Sequence, residues 1–254
     1  MDGGADYEAL RARAEADPNV LAFWLGGSRG MGRATAYSDY DCFVVVAADA
    51  YAAFKAELGL DGHYRMDWRP GIDLIAVTLP MIEAWPGRDY TFAHVSGMLD
   101  KTGVVRPLLQ SKGCVPPSEV AQSIHNALDH ALNQAYRALK CERDGDAAAS
   151  RFEAAEGVTP FLDAAFALHG GRLRPFYKYL AWELATHPLD RLPFGAEALR
   201  ERLLAVLAPG AATALSGLLA ESEPAFRAAG HAKAYDGWEA TLPWILAGRP
   251  VGKP

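Results

Sequence analysis

The chain has 254 residues, half of them hydrophobic, with a formal charge of −6 and a pI near 5.6. An acidic surface with no run of basic residues weighs against nucleic acid as a partner, and it suits a cationic small molecule better. No stretch of 18 apolar residues offers a membrane span, the acidic opening MDGGADYEALRARAEADPNV is not a secretory signal, and Cys42, Cys114 and Cys141 are scattered without CxxC spacing, so a reducing cytoplasm is the expected setting.

Leu10 and Ala14 recur among charges at helical spacing, which predicts a helix over residues 5–17. The apolar run Val20-Leu21-Ala22-Phe23-Trp24-Leu25 stops at Gly26-Gly27 and predicts a buried strand ending in a glycine turn. Cys42 to Ala47 predicts a second, valine-rich strand, and Tyr51 to Leu58 a helix. His63 to Trp68 predicts a third strand. The turn Arg69-Pro70-Gly71 then leads into Ile72 to Val77, an apolar strand with one carboxylate, Asp73, inside it. After about residue 118 the pattern becomes helical throughout. Ser118 to Lys140 predicts a helix with Ser118 at its N-cap. Ala147 to His169 predicts a second helix, interrupted or bent near Gly157 and Pro160 and ended by Gly170-Gly171. Further helices are predicted from Arg174-Pro175 through Thr186, over Glu197 to Leu207, and over Ala211 to Ala220.

The densest chemistry lies in GGSRGMGRATAYSDYD, residues 26–41. A dinucleotide-binding turn would need G-x-G-x-x-G, but position 35 is threonine and no acid is clearly placed downstream. Asp39 and Asp41, two residues apart on an extended strand, point to one face. Carboxylates held that close repel when both are ionised, unless a cation joins them. Taken alone, Ser-Asp-x-Asp is also an ordinary turn or capping sequence. Asp73 is harder to explain that way, since a carboxylate within an apolar strand needs a partner. Asp67 competes as a third carboxylate, but its neighbours Trp68-Arg69-Pro70 read as a loop.

Gly27-Ser28 followed eleven residues later by Asp39-x-Asp41, with Asp73 on a later strand, resembles the polymerase β-like nucleotidyltransferase superfamily, in its minimal and antibiotic-modifying (aminoglycoside) branches. The resemblance is specific over residues 22–47 and weaker at 72–77. It implies an α+β nucleotidyltransferase domain at 1–115, with a small mixed sheet and helices, followed by an all-α domain at 116–254. It implies an enzyme that uses two Mg²⁺ ions, held by Asp39, Asp41 and Asp73. The reaction would move an NMP, AMP by preference, from an NTP such as ATP to a hydroxyl of a small, aminoglycoside-like acceptor, and release pyrophosphate. Gly27, Ser28, Arg29 and Arg33 are then expected on the triphosphate. In the helical half the resemblance points to Lys178 as a further phosphate ligand, and to Glu153 or Glu156, three apart on one helix, as the catalytic base. Against this, a glutamate pair on a helix is commonly a solvated face. The alternatives are a non-catalytic or antitoxin-type regulatory module of the same fold, or a transferase acting on protein or RNA.

Overall fold

A computed structural model describes residues 3–249. The chain divides into two compact units, Met1–Cys114 and Val115–Pro254.

The first unit mixes helices and strands. It opens with α1 (Gly4–Ala16), which buries Leu10 and Ala14. Lys101 meets the end of this helix, its Nζ 2.8 Å from the Ala14 oxygen and 2.7 Å from that of Asp17. A cation there offsets both the orphan carbonyls and the negative end of the helix dipole. The chain continues through β1 (Val20–Leu25), the single turn α2 (Gly27–Gly30), β2 (Tyr40–Val46), α3 (Tyr51–Leu58), β3 (Tyr64–Arg69) and β4 (Ile72–Val77). Then come α4 (Leu79–Ala84), a 3-10 turn at Tyr90–His94, β5 (Leu99–Asp100) and α5 (Val105–Lys112). The elements α4, α5 and β5 were not foreseen. At six and two residues, α4 and β5 are too short for hydrophobic periodicity to announce them.

The five strands form one sheet in the order β3-β4-β2-β1-β5. Only β2 and β4 run parallel; the other neighbours are antiparallel. Alternation divides the sheet into two faces. Cys42, Val44 and Val46 of β2 and Ile72, Leu74 and Ala76 of β4 bury with Leu10 and Phe54 on one side. Val45 and Trp24 bury with Ile82, Phe92, Val105 and Leu109 on the other. Each fully buried Val, Leu or Ile contributes about 1.5–3 kcal/mol. That grip on both faces holds β2 and β4 in register even though each carries a carboxylate near its start.

The second unit, over its described residues, is built of helices: α6 (Val120–Arg143), α7 (Ala147–Leu168), α8 (Tyr177–Thr186), α9 (Ala196–Ala205), α10 (Ala211–Ala228), α11 (Ala232–Asp236) and α12 (Leu242–Ala247). Leu128, Leu132 and Leu139 of α6, Phe161 and Phe166 of α7, and Leu215 and Phe226 of α10 share one core. Asp146 caps α7, accepting from the Ala149 N–H at 2.9 Å. Trp238 and Trp244 flank Tyr136, with ring centroids 5.9 and 5.3 Å away, and Trp238 Nε1 donates to Asp129 Oδ1 at 3.0 Å.

Local expectations fail at four points. The helix α7 is not interrupted at Gly157 or Pro160. Proline removes one backbone bond, but Phe161, Leu162 and Ala164 beyond it are fully buried, and that packing carries the helix on. Gly157 is there for contact instead: a Cβ would lie 2.5 Å from Leu215 Cδ2 and 3.3 Å from Gln134 Cβ. The helix α10 likewise runs through Pro224 to Ala228 rather than stopping at Ala220. Ser118 does not cap α6; Glu119 occupies that position and makes no side-chain capping bond. The third helix starts at Tyr177, after the Arg174-Pro175 pair.

Candidate active site

The site begins with a strand register. Because β2 and β4 are parallel, Asp41 is the direct partner of Asp73, and Tyr40 that of Ile72. Asp39, one residue before β2, lies two residues from Asp41 and so shares its side of the chain. One carboxylate oxygen from each of Asp39, Asp41 and Asp73 lies within 4.8 Å of the others. Asp39 is exposed and the other two are half-buried.

The glycines that precede them are required by this arrangement. Gly27 has φ of +51°, and a Cβ on it would stand 1.9 Å from Asp41 Oδ2. On Gly26 a Cβ would meet Phe43 Cε2 at 2.5 Å, and on Gly30 it would meet the Leu25 carbonyl oxygen at 2.0 Å. Gly26 N–H also donates to the Asp41 carbonyl at 2.8 Å. The β1–α2 turn is thus folded directly onto the start of β2, and glycine lets the backbone come that close.

The loop from Met31 to Asp39 is tied down from both sides. Ser28 Oγ donates to Ser38 Oγ at 2.8 Å, and Ser38 Oγ accepts from the Thr35 N–H at 2.9 Å. The Arg29 guanidinium stacks over the Tyr40 ring at 3.8 Å. It donates to the Asp39 carbonyl at 3.0 Å and the Ser38 carbonyl at 2.8 Å. Arg29 therefore holds the strand entry that carries Asp39, and keeps further N–H donors of its five for another partner. Arg33 is exposed, and its backbone N–H donates to the Ser28 carbonyl at 2.7 Å.

Asp73 is held on both oxygens. Oδ1 accepts from the Asp67 N–H at 2.8 Å, and Oδ2 from the Tyr64 hydroxyl at 2.9 Å. The bond to Asp73 is the main cause that pushes the Tyr64 phenol up to about 12, with desolvation and the charges of Asp73, Asp41 and Asp39 adding to it. Cys42, whose side chain enters the opposite face, is pushed up to about 12 by burial first and then by Asp41 and Asp73. Asp67 is not part of the acidic group. It sits at an irregularity of β3 with φ of +48°, and turns its backbone N–H to Asp73.

The sequence signal missed Tyr64 and the structural use of Tyr40 and Ser38. The β3–β4 turn could be read, but the register shift between Arg65 and Arg69 could not, so nothing indicated that Tyr64 would reach Asp73.

The structure thus brings together Gly27, Ser28, Arg29, Asp39, Asp41 and Asp73 in the first unit. Lys178, Glu153 and Glu156 belong to the second. Glu153 accepts from Arg137 at 3.4 Å. Glu156 is exposed and lies three residues before Thr159, whose hydroxyl is bonded to Tyr177 at 2.6 Å. Lys178 is exposed, its Nζ 4.8 Å from the centre of the Tyr179 ring.

The carboxylate trio is an all-oxygen donor set with a spacing that hard divalent cations span, and mutual repulsion is relieved when such a cation binds. The residues present therefore fit Mg²⁺.

No helix among the described residues is long and apolar enough to cross a membrane. No protein-family model matches the chain. No curated protein matches it either. Among solved structures, the chain is similar to the nucleotidyltransferase-like protein from Exiguobacterium sibiricum 255-15, at 12% identity and a TM-score of 0.43, over 96% of this chain and 87% of that one.

Proposed function

We propose that the protein is a metal-dependent nucleotidyltransferase that moves an NMP, AMP by preference, from an NTP to a hydroxyl of a small molecule. The observation that carries this reading is the pairing of Asp41 with Asp73 across parallel strands, with Asp39 beside them and a glycine backed onto Asp41. A structural role alone gives no reason for three carboxylates to converge on one face with a bare backbone pressed against them.

Asp39, Asp41 and Asp73 would hold Mg²⁺. When bound, the metal supplies Lewis-acid stabilisation of the charge that develops at phosphorus and on the departing pyrophosphate. The Tyr64 hydroxyl and the Asp67 N–H each donate to one Asp73 oxygen and would fix the direction in which that carboxylate meets a metal. Arg29 fixes the chain that presents Asp39, and its remaining N–H donors, together with Ser28, would contact the triphosphate. In the transfer, the acceptor oxygen forms a bond to the α-phosphorus. The bond from that phosphorus to the bridging oxygen breaks, and its electron pair leaves with pyrophosphate. The hydroxyl proton passes to a general base. Glu156 or Glu153 as that base, and Lys178 on the triphosphate, enter through the family resemblance alone.

The test is incubation of the full chain with Mg²⁺, each of four NTPs and a panel of hydroxyl compounds, with pyrophosphate release and acceptor mass gain read together. The reading expects both signals with at least one pair, and their loss on chelation. Silence across the panel, with no NTP or Mg²⁺ binding by calorimetry, would return the protein to the non-catalytic module.

A further inference from the structure

We propose that the first unit carries a pocket for the uncharged, ring-bearing body of the acceptor. The term acceptor rests on the transferase reading above; the pocket and its ligand class do not. A cavity of about 570 Å³ opens on the sheet face that carries Asp41 and Asp73. That is the size of a small-molecule site, which typically spans about 300–1,000 Å³.

Its position follows from strand alternation. Phe43 and Ile75 line the cavity and follow Asp41 and Asp73 by two residues on β2 and β4. A ligand in the cavity therefore lies about 7 Å along the strands from the carboxylates, the advance of two strand residues. One end of a bound ring system would reach the acidic group while its body remained in the cavity.

The lining decides the chemistry. Trp24 and Phe43 stack at 4.9 Å and 8°, and Phe92 meets Phe43 edge-on at 6.3 Å. Trp85 stands edge-on to Phe92 at 5.5 Å and is 40% exposed, as a rim residue would be. Among the described residues, no Asp, Glu, Lys or Arg lines the cavity, and His63 is its one titratable side chain. By charge matching the occupant is neutral. A polycationic aminoglycoside would be stripped of water there without a carboxylate partner. A nucleobase suits the lining less well, because its several polar edges would meet mostly aromatic and aliphatic side chains.

The experiment uses the full chain without NTP or metal, with 6-methoxy-2-naphthalenemethanol as the probe. Kanamycin represents cationic polyols and adenosine represents nucleosides. Calorimetry should show binding of the naphthalene alcohol. Trp85→Ala and Met81→Glu, both at the exposed rim, should weaken it at least tenfold, as loss of an aromatic anchor or a buried charge does. Mg²⁺ binding should be unchanged in both variants, which also checks their folding. No binding of the probe, binding indifferent to Trp85→Ala and Met81→Glu, Trp85-dependent binding of kanamycin, or displacement of the probe by adenosine would each overturn the proposal. Pyrophosphate release is scored separately. Probe binding as described with no release from any NTP leaves the pocket standing and removes the transferase reading; release without probe binding does the reverse.

Discussion

Replacing Gly27 with alanine probes the site at its tightest point. Two costs are built into the position. The first is conformational: φ is +51°, and an L-residue with a Cβ pays about 1–2 kcal/mol there. The second is a collision with Asp41 Oδ2 at 1.9 Å, against an ordinary contact of about 3.5 Å. The carboxylate must retreat by well over an ångström or the turn must lift away. Gly32 separates the two costs. Its φ is +67°, yet nothing lies within 4 Å of a Cβ built on it. Gly32→Ala should therefore lose about 1–2 kcal/mol of stability and keep its metal affinity. Gly27→Ala should lose at least as much stability and also bind Mg²⁺ about 10–100-fold more weakly, the range seen when a metal ligand loses its support. Octahedral Mg²⁺ tolerates little displacement of a ligand. Thermal melts give the stabilities, and calorimetric Mg²⁺ titration or electron paramagnetic resonance with Mn²⁺ gives the affinity. If Gly27→Ala binds either ion as the parent does, Asp41 is not a metal ligand and the argument from the glycine turn fails.

Asp39→Asn and Asp41→Asn should abolish transfer while the melting temperature holds or rises, because a like charge is removed from a crowded trio; retained activity in either would end the metal proposal. His169 should make the protein acid-sensitive. Burial is the main cause that lowers its pKa, Arg172 and Arg191 push the same way, and the bond to the Ala165 carbonyl and the Asp190 charge oppose without prevailing. Its Nδ1 lies 2.7 Å from that carbonyl and its Nε2 accepts from the Arg191 N–H at 3.0 Å, so the folded state favours the neutral ring. The unfolded chain then binds the proton more readily. The contribution to stability is complete above an unfolded value near 6.5 and is lost as pH falls through the lower folded value. His169→Gln should flatten the fall in melting temperature between about pH 6.5 and 5, leaving a smaller slope from His231, which burial also lowers; an unchanged slope refutes the assignment. Gly217→Ala, within α10 with nothing within 4 Å of the added Cβ, should stabilise the protein by about 1 kcal/mol in denaturant melts through helix propensity alone. Destabilisation there would mean that packing, not propensity, governs the position.

Much of the first unit could be read from residue order. The apolar runs at Val20–Leu25 and Ile72–Val77 are strands with the bounds that hydrophobicity suggests, since burying those side chains is a local demand that each segment carries in itself. The spacing of Asp39 and Asp41 fixed their common side for the same reason, the two-residue period of a strand. The pairing of Asp41 with Asp73 is different. It depends on β2 choosing β4 as a parallel neighbour across an intervening helix and strand, a decision made by the shared core of Val44, Leu74 and their neighbours, which no local pattern records. The same holds for Gly27 and Gly157. The sequence shows a glycine in each place, but only the approach of Asp41 to one and Leu215 to the other gives the reason. Arg29 could be seen as a basic residue beside Gly-Ser; that it stacks on Tyr40 and grips the carbonyls of Ser38 and Asp39 was settled by the folding of the loop back across the turn. Side-chain type and period are properties of a segment, whereas register, close approach and choice of partner arise when segments distant in the chain compete for the same buried space.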